Sequence, residues 1–587
     1  MPNMSNDVIT RQDEEKVRTK LLHKTEESEY HVACTRKGPP WWRSQRYILA
    51  YILCWCQMNI FCQRINLSVA IVCMVNHTAV SVGRHTAFNQ TSPSSGLNHS
   101  DFTSDGAKNL STQTQLLSPL SGQLSDLGLV HGRSTVADTQ ETCGSAYSEQ
   151  IHFQEDGTFV WDKETQGVLL GAIYWSYLTV QIPGNVLVRN VKKKTIILVS
   201  LTLMTSCTIL VHGAALLSQW VVFCLRLIQG GCTALAMIAL YGIWSKWAPP
   251  VERTGLLTVG LSGQMLGNIM AFPVSALLCK YGFLGGWPSV FYVFGLIGLV
   301  WLVFFCLFTE DSPEHHKYIT PEERSYIMGS LKETEVHKHK AKAPWLSIIK
   351  SPPFWGIVSA HVSYTWGLFL FLSTLPQYMF EVLKFDIASN GIFSMLPYIA
   401  LFVTTLSSGQ ISDLLIKKQI MRVLLVRKLC IITSNCIPAV ALVCLSFLDC
   451  HQPELAIVLL VLSVGATGFG LSGFVTNPFD IAPRFAAEIM TISNTLATIP
   501  GIITPIVVAT VTKNQTREEW QIVLFLTSAI YVLGTAGFCI LASADVQPWA
   551  ALVQDNGQYS IDIPISPVEQ NNENNVENIK ENKVEMI

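Results

Sequence analysis

RYILAYILCWCQMNIFCQRINLSVAIVCMV, residues 46–75, is a nearly unbroken run of apolar side chains. It exceeds the roughly 20 residues that carry a helix across a bilayer. Inside it sits Arg64. Val75 lies eleven residues further on, about 16 Å along a helix, so the guanidinium is deep in the apolar layer. A cation there costs about 2.5–3.5 kcal/mol even on lenient insertion scales, and it faces a protein interior or a watery cavity. Between Gln63 and Asn66, it points to an anion as its ligand. The alternative is an arginine that ties two helices together through backbone carbonyls.

Composition extends that reading to the whole chain. Of 587 residues, 14 % are charged and 49 % hydrophobic, against about 25 % charged in soluble proteins. With repeated apolar runs, this is an all-α polytopic membrane protein. Most of the 16 cysteines, Cys54, Cys56, Cys62, Cys73, Cys224 and Cys232 among them, fall inside apolar runs as small hydrophobic residues. No Cys or His spacing suggests a metal. The first 30 residues are polar, so the first span serves as the insertion signal.

Residues 1–45 form a tail that turns basic before the first span (Arg36, Lys37, Arg43, Arg46), placing it in the cytoplasm. Residues 76–160 are a Ser/Thr/Gly/Asn-rich loop with sequons at Asn76, Asn89, Asn98 and Asn109, hence an extracytoplasmic, glycosylated loop. Eleven more apolar spans follow, at 166–188, 195–217, 219–245, 255–279, 287–309, 354–380, 388–410, 425–448, 455–477, 485–510 and 520–542. Twelve spans put both termini on one side. Basic clusters after spans two and eight and in the 310–351 loop mark that side as cytoplasmic, while a sequon at Asn514 falls on the other.

The 310–351 linker divides the spans into halves, 46–309 and 352–544, followed by a disordered cytoplasmic tail, 545–587. In the linker, Thr320-Pro-Glu-Glu predicts a helix start with a capping box closed by Glu323. Gly184 and Gly409 open matching loop motifs in the two halves, each ending in basic residues. The acid four residues on is Asp413 in the second half, but Val188 in the first. Two six-helix halves with a site between them is the major facilitator architecture. The tail ending, Glu585-Met-Ile587, offers a weak PDZ-type contact.

Arg226, early in span four, is the second intramembrane cation, with Gln229 on the same helix face and Gly230-Gly231 permitting close helix approach. It either joins Arg64 in a positive cavity or sits near the membrane edge, snorkelling or pairing at a gate. His361 and Tyr364, one turn apart in span seven, are further cavity candidates. A lone intramembrane histidine more often joins helices by hydrogen bonding. Pro376, Pro397, Pro500-Gly501 and Pro505 supply bendable points. No phosphate loop, GxSxG elbow or HExxH pair is present, so the chain is not read as an enzyme or an ATP-driven pump.

Five strings carry a family resemblance: Arg64-Ile-Asn-Leu-Ser-Val-Ala, Trp161-Asp-Lys-Glu-Thr-Gln-Gly, Trp244-Ser-Lys-Trp-Ala-Pro-Pro-Val-Glu-Arg253, Ser394-Met-Leu-Pro-Tyr and Asp480-Ile-Ala-Pro-Arg484. They resemble the branch of the major facilitator superfamily that contains sialin, the vesicular glutamate transporters and the type I sodium-phosphate transporters. Asp480 and Arg484, with Gly409 and Asp413, become gating-motif candidates.

Proton-coupled sialin-like members have acids one and two turns after the span-four arginine; here these are Gln229 and Thr233. The vesicular glutamate transporters have a histidine in span two and an arginine in span seven; here these are Leu170 and Tyr364. The resemblance therefore implies the type I branch. That means phosphate carried with sodium, or organic anions such as urate carried by potential and modulated by chloride, with no cofactor and no nucleic-acid partner. The acid that precedes sialin's sorting leucines is Val17 here, before Leu21-Leu22, which implies the plasma membrane, with an apical placement as one option, ahead of intracellular vesicles. A proton-coupled exporter of acidic sugars or amino acids from lysosomes or vesicles is the first rival. A non-transporting receptor or scaffold is the second.

Overall fold

The computed structural model describes residues 44–76, 79–80, 157–249, 252–336, 343–555 and 558–561. His77–Asp156 separates as a unit of its own. The sequons at Asn89, Asn98 and Asn109, and residues 585–587, lie outside the described residues.

The first half contains α1 (Gln45–Met74), α2 (Lys163–Asn190), α3 (Lys193–Leu217), α4 (Gln219–Trp247), α5 (Arg253–Tyr281) and α6 (Trp287–Phe308). A shorter α7 (Pro321–Val336) follows. The second half contains α8 (Pro352–Glu381), α9 (Ile387–Lys417), α10 (Val423–Ser446), α11 (Pro453–Ile481), α12 (Pro483–Val511) and α13 (Arg517–Leu541). Among the described residues, 11 helices are long and apolar enough to cross a membrane. The remaining long helix, α2, has 28 residues but is made more polar by Gln166, Ser176, Thr179, Gln181 and Asn185. Short connections make successive helices antiparallel. The bridge between Val75 and Phe159 brings the end of α1 and the start of α2 to one face, here the loop face; the start of α1 and α7 share the other, the linker face.

Each half has its own apolar core. Leu53, Ile60, Leu201, Trp244, Trp301 and Phe305 centre the first, and Phe354, Ile357, Ile431, Phe474 and Phe538 the second. The halves meet where α5 packs on α9, α2 on α12 and α1 on α8.

Three local expectations change. Gly409 and Asp413 are helical, because Leu414, Leu415 and Ile416 carry α9 on to Lys417; it stops where Gln419 takes φ 54° and its N–H reaches the Ile416 carbonyl at 2.9 Å. The strongest departure from α geometry is in α11, where Thr467–Phe469 tightens and Leu471–Val475 widens. Proline is absent there, but Gly465, Gly468, Gly470 and Gly473 let neighbouring helices approach. The tail is not structureless from residue 545: Pro548–Ala551 is a helical turn, and Leu552–Asp555 pairs antiparallel with Gln558–Ile561.

The linker helix begins at Pro321 as predicted, but only half of its capping box forms. The Glu323 N–H reaches Thr320 Oγ1 at 3.3 Å, while the Glu323 carboxylate turns to the start of α1. There it accepts from Ser44 Oγ, from the Gln45 N–H at 3.0 Å, and from the Arg46 N–H and Nη1, both at 3.1 Å. Glu323 thus caps the start of a helix some 280 residues away, and its own helix keeps only the Thr320 half of the box. Arg46 also binds Glu252 at 2.5 Å and 3.1 Å, joining α1 to the start of α5. With Ile327 in the core, α7 belongs to the first half.

Glu323→Gln removes a fully buried charge that accepts four hydrogen bonds. It should cost about 2–3 kcal/mol. A thermal melt of the purified protein in detergent should show a lowered midpoint; an unchanged one would show that the cap is not a support of this half.

Candidate anion-binding site

Arg64 lies on the face of α1 turned toward α2 and α8. Its guanidinium is 4.6 Å from the Tyr174 ring centroid, 5.3 Å from Phe369 and 5.4 Å from Phe61. Tyr174 and Phe369, one from each half, are 4.7 Å apart. Ring faces attract a cation, by about 2 kcal/mol or more when desolvated, yet leave its N–H groups unbonded. Arg64 makes no hydrogen bond or ion pair through its side chain with any described residue and stays partly accessible. Gly501 makes this geometry possible: a Cβ there would stand 2.6 Å from the Tyr174 ring.

Arg226 is only 2 % exposed and does not snorkel. Nη2 donates to the Arg64 carbonyl at 2.8 Å, and Nη1 donates to the Gln63 carbonyl at 3.3 Å and to Gln229 Oε1 at 3.1 Å. The Gln229 amide then donates to Thr208, and Thr208 to Gln63 Oε1, each at 2.9 Å. The tie through backbone carbonyls, weighed above for Arg64, is therefore what Arg226 makes. Its Nε, also buried, has no partner. Gly230 lets α4 come this close to α2: a Cβ there would lie 2.0 Å from the Ile173 carbonyl oxygen.

His361 and Tyr364 gather elsewhere, on Phe474 in the irregular turn of α11, with centroids at 4.5 Å and 5.3 Å. His361 Nδ1 is also 2.8 Å from Ser493 Oγ on α12, which makes it a helix-joining group. Asp480 pairs within the second half, with Arg427 on α10 at 2.9 Å and 3.2 Å. Arg427 also donates to the Ser472 carbonyl at 3.2 Å. Arg484 is exposed; Asp413 is exposed with no ion pair to a described residue; Gly409 borders open space. Asn76 follows α1 directly, its N–H donating to the Phe159 carbonyl at 2.8 Å.

At the loop face a set of polar pairs joins the halves. Lys163 at the start of α2 and Glu381 at the end of α8 form an ion pair, both side chains at most 3 % exposed. Trp520 Nε1 donates to the same carboxylate at 3.0 Å. Gln377 donates to Gln166 at 3.1 Å, Lys513 pairs with Glu164 at 2.6 Å, and Lys280 with Asp386 at 3.2 Å. Burial alone would raise the Asp386 carboxyl, but bonds from Ser389 and Lys280 hold it below its ordinary range. Sequence reasoning missed these groups. The available signal was a lysine and a glutamate at same-face ends of two spans in opposite halves.

A sequence profile of the Major Facilitator Superfamily matches residues 125–505. The chain belongs to that superfamily. Within it the chain is a member of the family of sialin and the vesicular glutamate transporters. It is 36 % identical to sialin from Ovis aries over 426 residues, 72 % of this chain and 85 % of that one. It is 37 % identical to vesicular glutamate transporter 2 from Homo sapiens over 404 residues, 68 % of each chain. Among solved structures, a bacterial homolog of the human lysosomal transporter Spinster, in an inward-facing and unoccupied conformation, matches with TM-score 0.56 at 12 % identity, covering 85 % of this chain and 97 % of that one. A D-xylose–proton symporter matches with TM-score 0.50 at 14 % identity, covering 65 % and 90 %. This major facilitator protein is a multi-pass membrane protein and not an enzyme.

The two arginines should separate by stability. Arg226→Ala strips a buried hydrogen-bond network and is expected to cost about 2–3 kcal/mol. Arg64→Ala removes a cation without hydrogen bonds, so the lost ring contacts are offset by relief of a costly buried charge, and it should lower the melting midpoint less than Arg226→Ala does; equal losses would contradict the division of roles. For the seal, Lys163→Met strands Glu381 in the closed state by about 3 kcal/mol, a factor near 150 in population. A cysteine placed at Gln377 should then be alkylated many-fold faster, as read by mass spectrometry. Reversing the pair, Lys163→Glu with Glu381→Lys, should restore slow labelling. Equal rates in all three backgrounds would remove the ion pair from the gate.

Proposed function

We propose that this chain transports small anions by alternating access, with Arg64 as the group that attracts and holds the anion. The observation that carries the reading is a guanidinium near the middle of the bundle whose N–H groups are unused, walled by Tyr174 and Phe369 from opposite halves. Arg226 has only neutral hydrogen-bond partners among the described residues, so no counter-ion cancels the positive potential it adds while positioning the Arg64 backbone. Gln229 and Thr233, both neutral, stand where a proton-coupled cycle would use acids, which favours sodium or membrane potential as the driving force. The substrates proposed are inorganic phosphate with sodium, and organic anions such as urate, with chloride as a modulator. The plasma membrane is the proposed site of action, with the linker face in the cytoplasm.

The vesicular transporters among its relatives favour a second reading, a proton-driven exporter of acids from an internal compartment. Uptake of labelled phosphate and labelled urate into proteoliposomes, with sodium, voltage and pH imposed one at a time, separates the two. Sodium-dependent phosphate uptake or voltage-driven urate uptake is the expected result. Transport driven by a pH gradient and indifferent to voltage would replace it with the second reading. In either assay Arg64→Ala should reduce uptake by at least about tenfold, the loss of one charge-assisted contact. Uptake that survives would sink the assignment of Arg64.

A further inference from the structure

The linker face of the first half carries a cleft of about 1090 Å3, away from Arg64 and between the turn into α3, the end of α4, the start of α5, the stretch after α6, and α7. Four cations line it: Lys192, Lys194, Lys246 and Arg253. Two are committed, Lys194 to Glu310 at 2.9 Å and Lys246 to Asp311 at 2.6 Å. Burial would raise the Asp311 carboxyl, but the bonds from Lys246 and Lys194 hold it below its ordinary range, so this pair stays charged. Lys192 has no ion pair with a described residue. Arg253 donates through Nε and Nη2 to the Ala248 carbonyl, at 3.4 Å and 3.3 Å, leaving Nη1 unused. Lys192 also leaves the start of α3 without a side-chain cap. Glu314 and His315 stand exposed at the rim.

The opposite wall is apolar. Leu198, Met328 and Leu331 line it, and on another side of α3 Val199, Leu203 and Leu210 face outward, 54 %, 47 % and 57 % exposed. Their spacing of four and seven residues keeps them on one side of the helix. The charged cleft and an outward-facing apolar strip thus share the helix α3, the cleft at its start and the strip along its outer side. A ligand that suits both has phosphate oxygens for the two uncommitted cations and a hydrocarbon chain for the strip.

We propose that this cleft binds the phosphorylated headgroup of an anionic membrane lipid, with phosphate on Lys192 and Arg253 and an acyl chain along α3. A phosphate monoester could also come from a soluble metabolite, and the apolar strip is what favours the lipid. Because α7 forms one wall, an occupied cleft ties the linker helix to α3, α4 and α5.

The test is equilibrium binding to the purified full-length chain in detergent, with dioctanoyl phosphatidylinositol 4,5-bisphosphate, inositol 1,4,5-trisphosphate and dioctanoyl phosphatidylcholine as probes. The phosphorylated lipid should bind, the free headgroup at least about tenfold more weakly, and the choline lipid weaker still. Lys192→Gln with Arg253→Gln should weaken the first probe by roughly fivefold for each charge removed. Lys418→Gln, an exposed lysine on the same face of the other half, should change nothing. Should the double variant fail to fold, Lys192→Gln alone, at an exposed side chain, carries the test with its fivefold loss. Equal affinity for the free headgroup would overturn the lipid assignment. An equal loss in Lys418→Gln, or none in the cleft variants, would overturn the site.

Discussion

A guanidinium inside an apolar bundle must be surrounded by something that tolerates its charge, and this protein meets the constraint in two different ways. Arg226 is given backbone carbonyls and a glutamine, which engage both of its terminal nitrogens and lock α4 to α1. Arg64 is given ring faces, which steady the charge and leave the donors unused. The two solutions depend on each other, since Arg226 holds the carbonyl of Arg64 itself. They also dictate packing. The carbonyl ties need α4 close to α2 and α1, hence Gly230, and the aromatic wall needs α12 close to Tyr174, hence Gly501.

Around that centre the polar pairs fall into two kinds. At the linker face they stay inside a half: Arg46 with Glu252 and Glu323 in the first, Arg427 with Asp480 in the second. Such pairs tie helices together within each half. At the loop face they cross between halves, from Lys163 to Glu381 and from Lys280 to Asp386. A rocking motion would break the second kind and keep the first. A buried ion pair adds little net stability over an apolar contact, but it penalises any state that separates the partners without water. That property suits a seal that must open fully or stay shut.

Much of the architecture was legible because bilayer-spanning helices are written locally. Each span is a continuous apolar run, and the structure begins and ends most of them within a few residues of the sequence reading. The misjudged end, at α9, came from taking Gly409 as a loop start when the leucines after it sustain a helix. The irregular turn in α11 carried a weaker signal, four glycines rather than a proline. Glu323 shows how a local rule can be right about position and wrong about partner. Thr320 and Pro321 do start the helix, but the carboxylate that would complete the box has a stronger use across the fold.

What the sequence by itself determined is the set of spans, the division into halves, the family and the presence of two cations where charge is costly. Those properties depend on residues close together along the chain. Which arginine is spent on structure and which is left with its donors unused was decided only by the tertiary structure. So was the pairing of Lys163 with Glu381, 218 positions apart. A charge's role depends on what lies within a few ångströms of it, and in a helical bundle those neighbours come from distant parts of the chain.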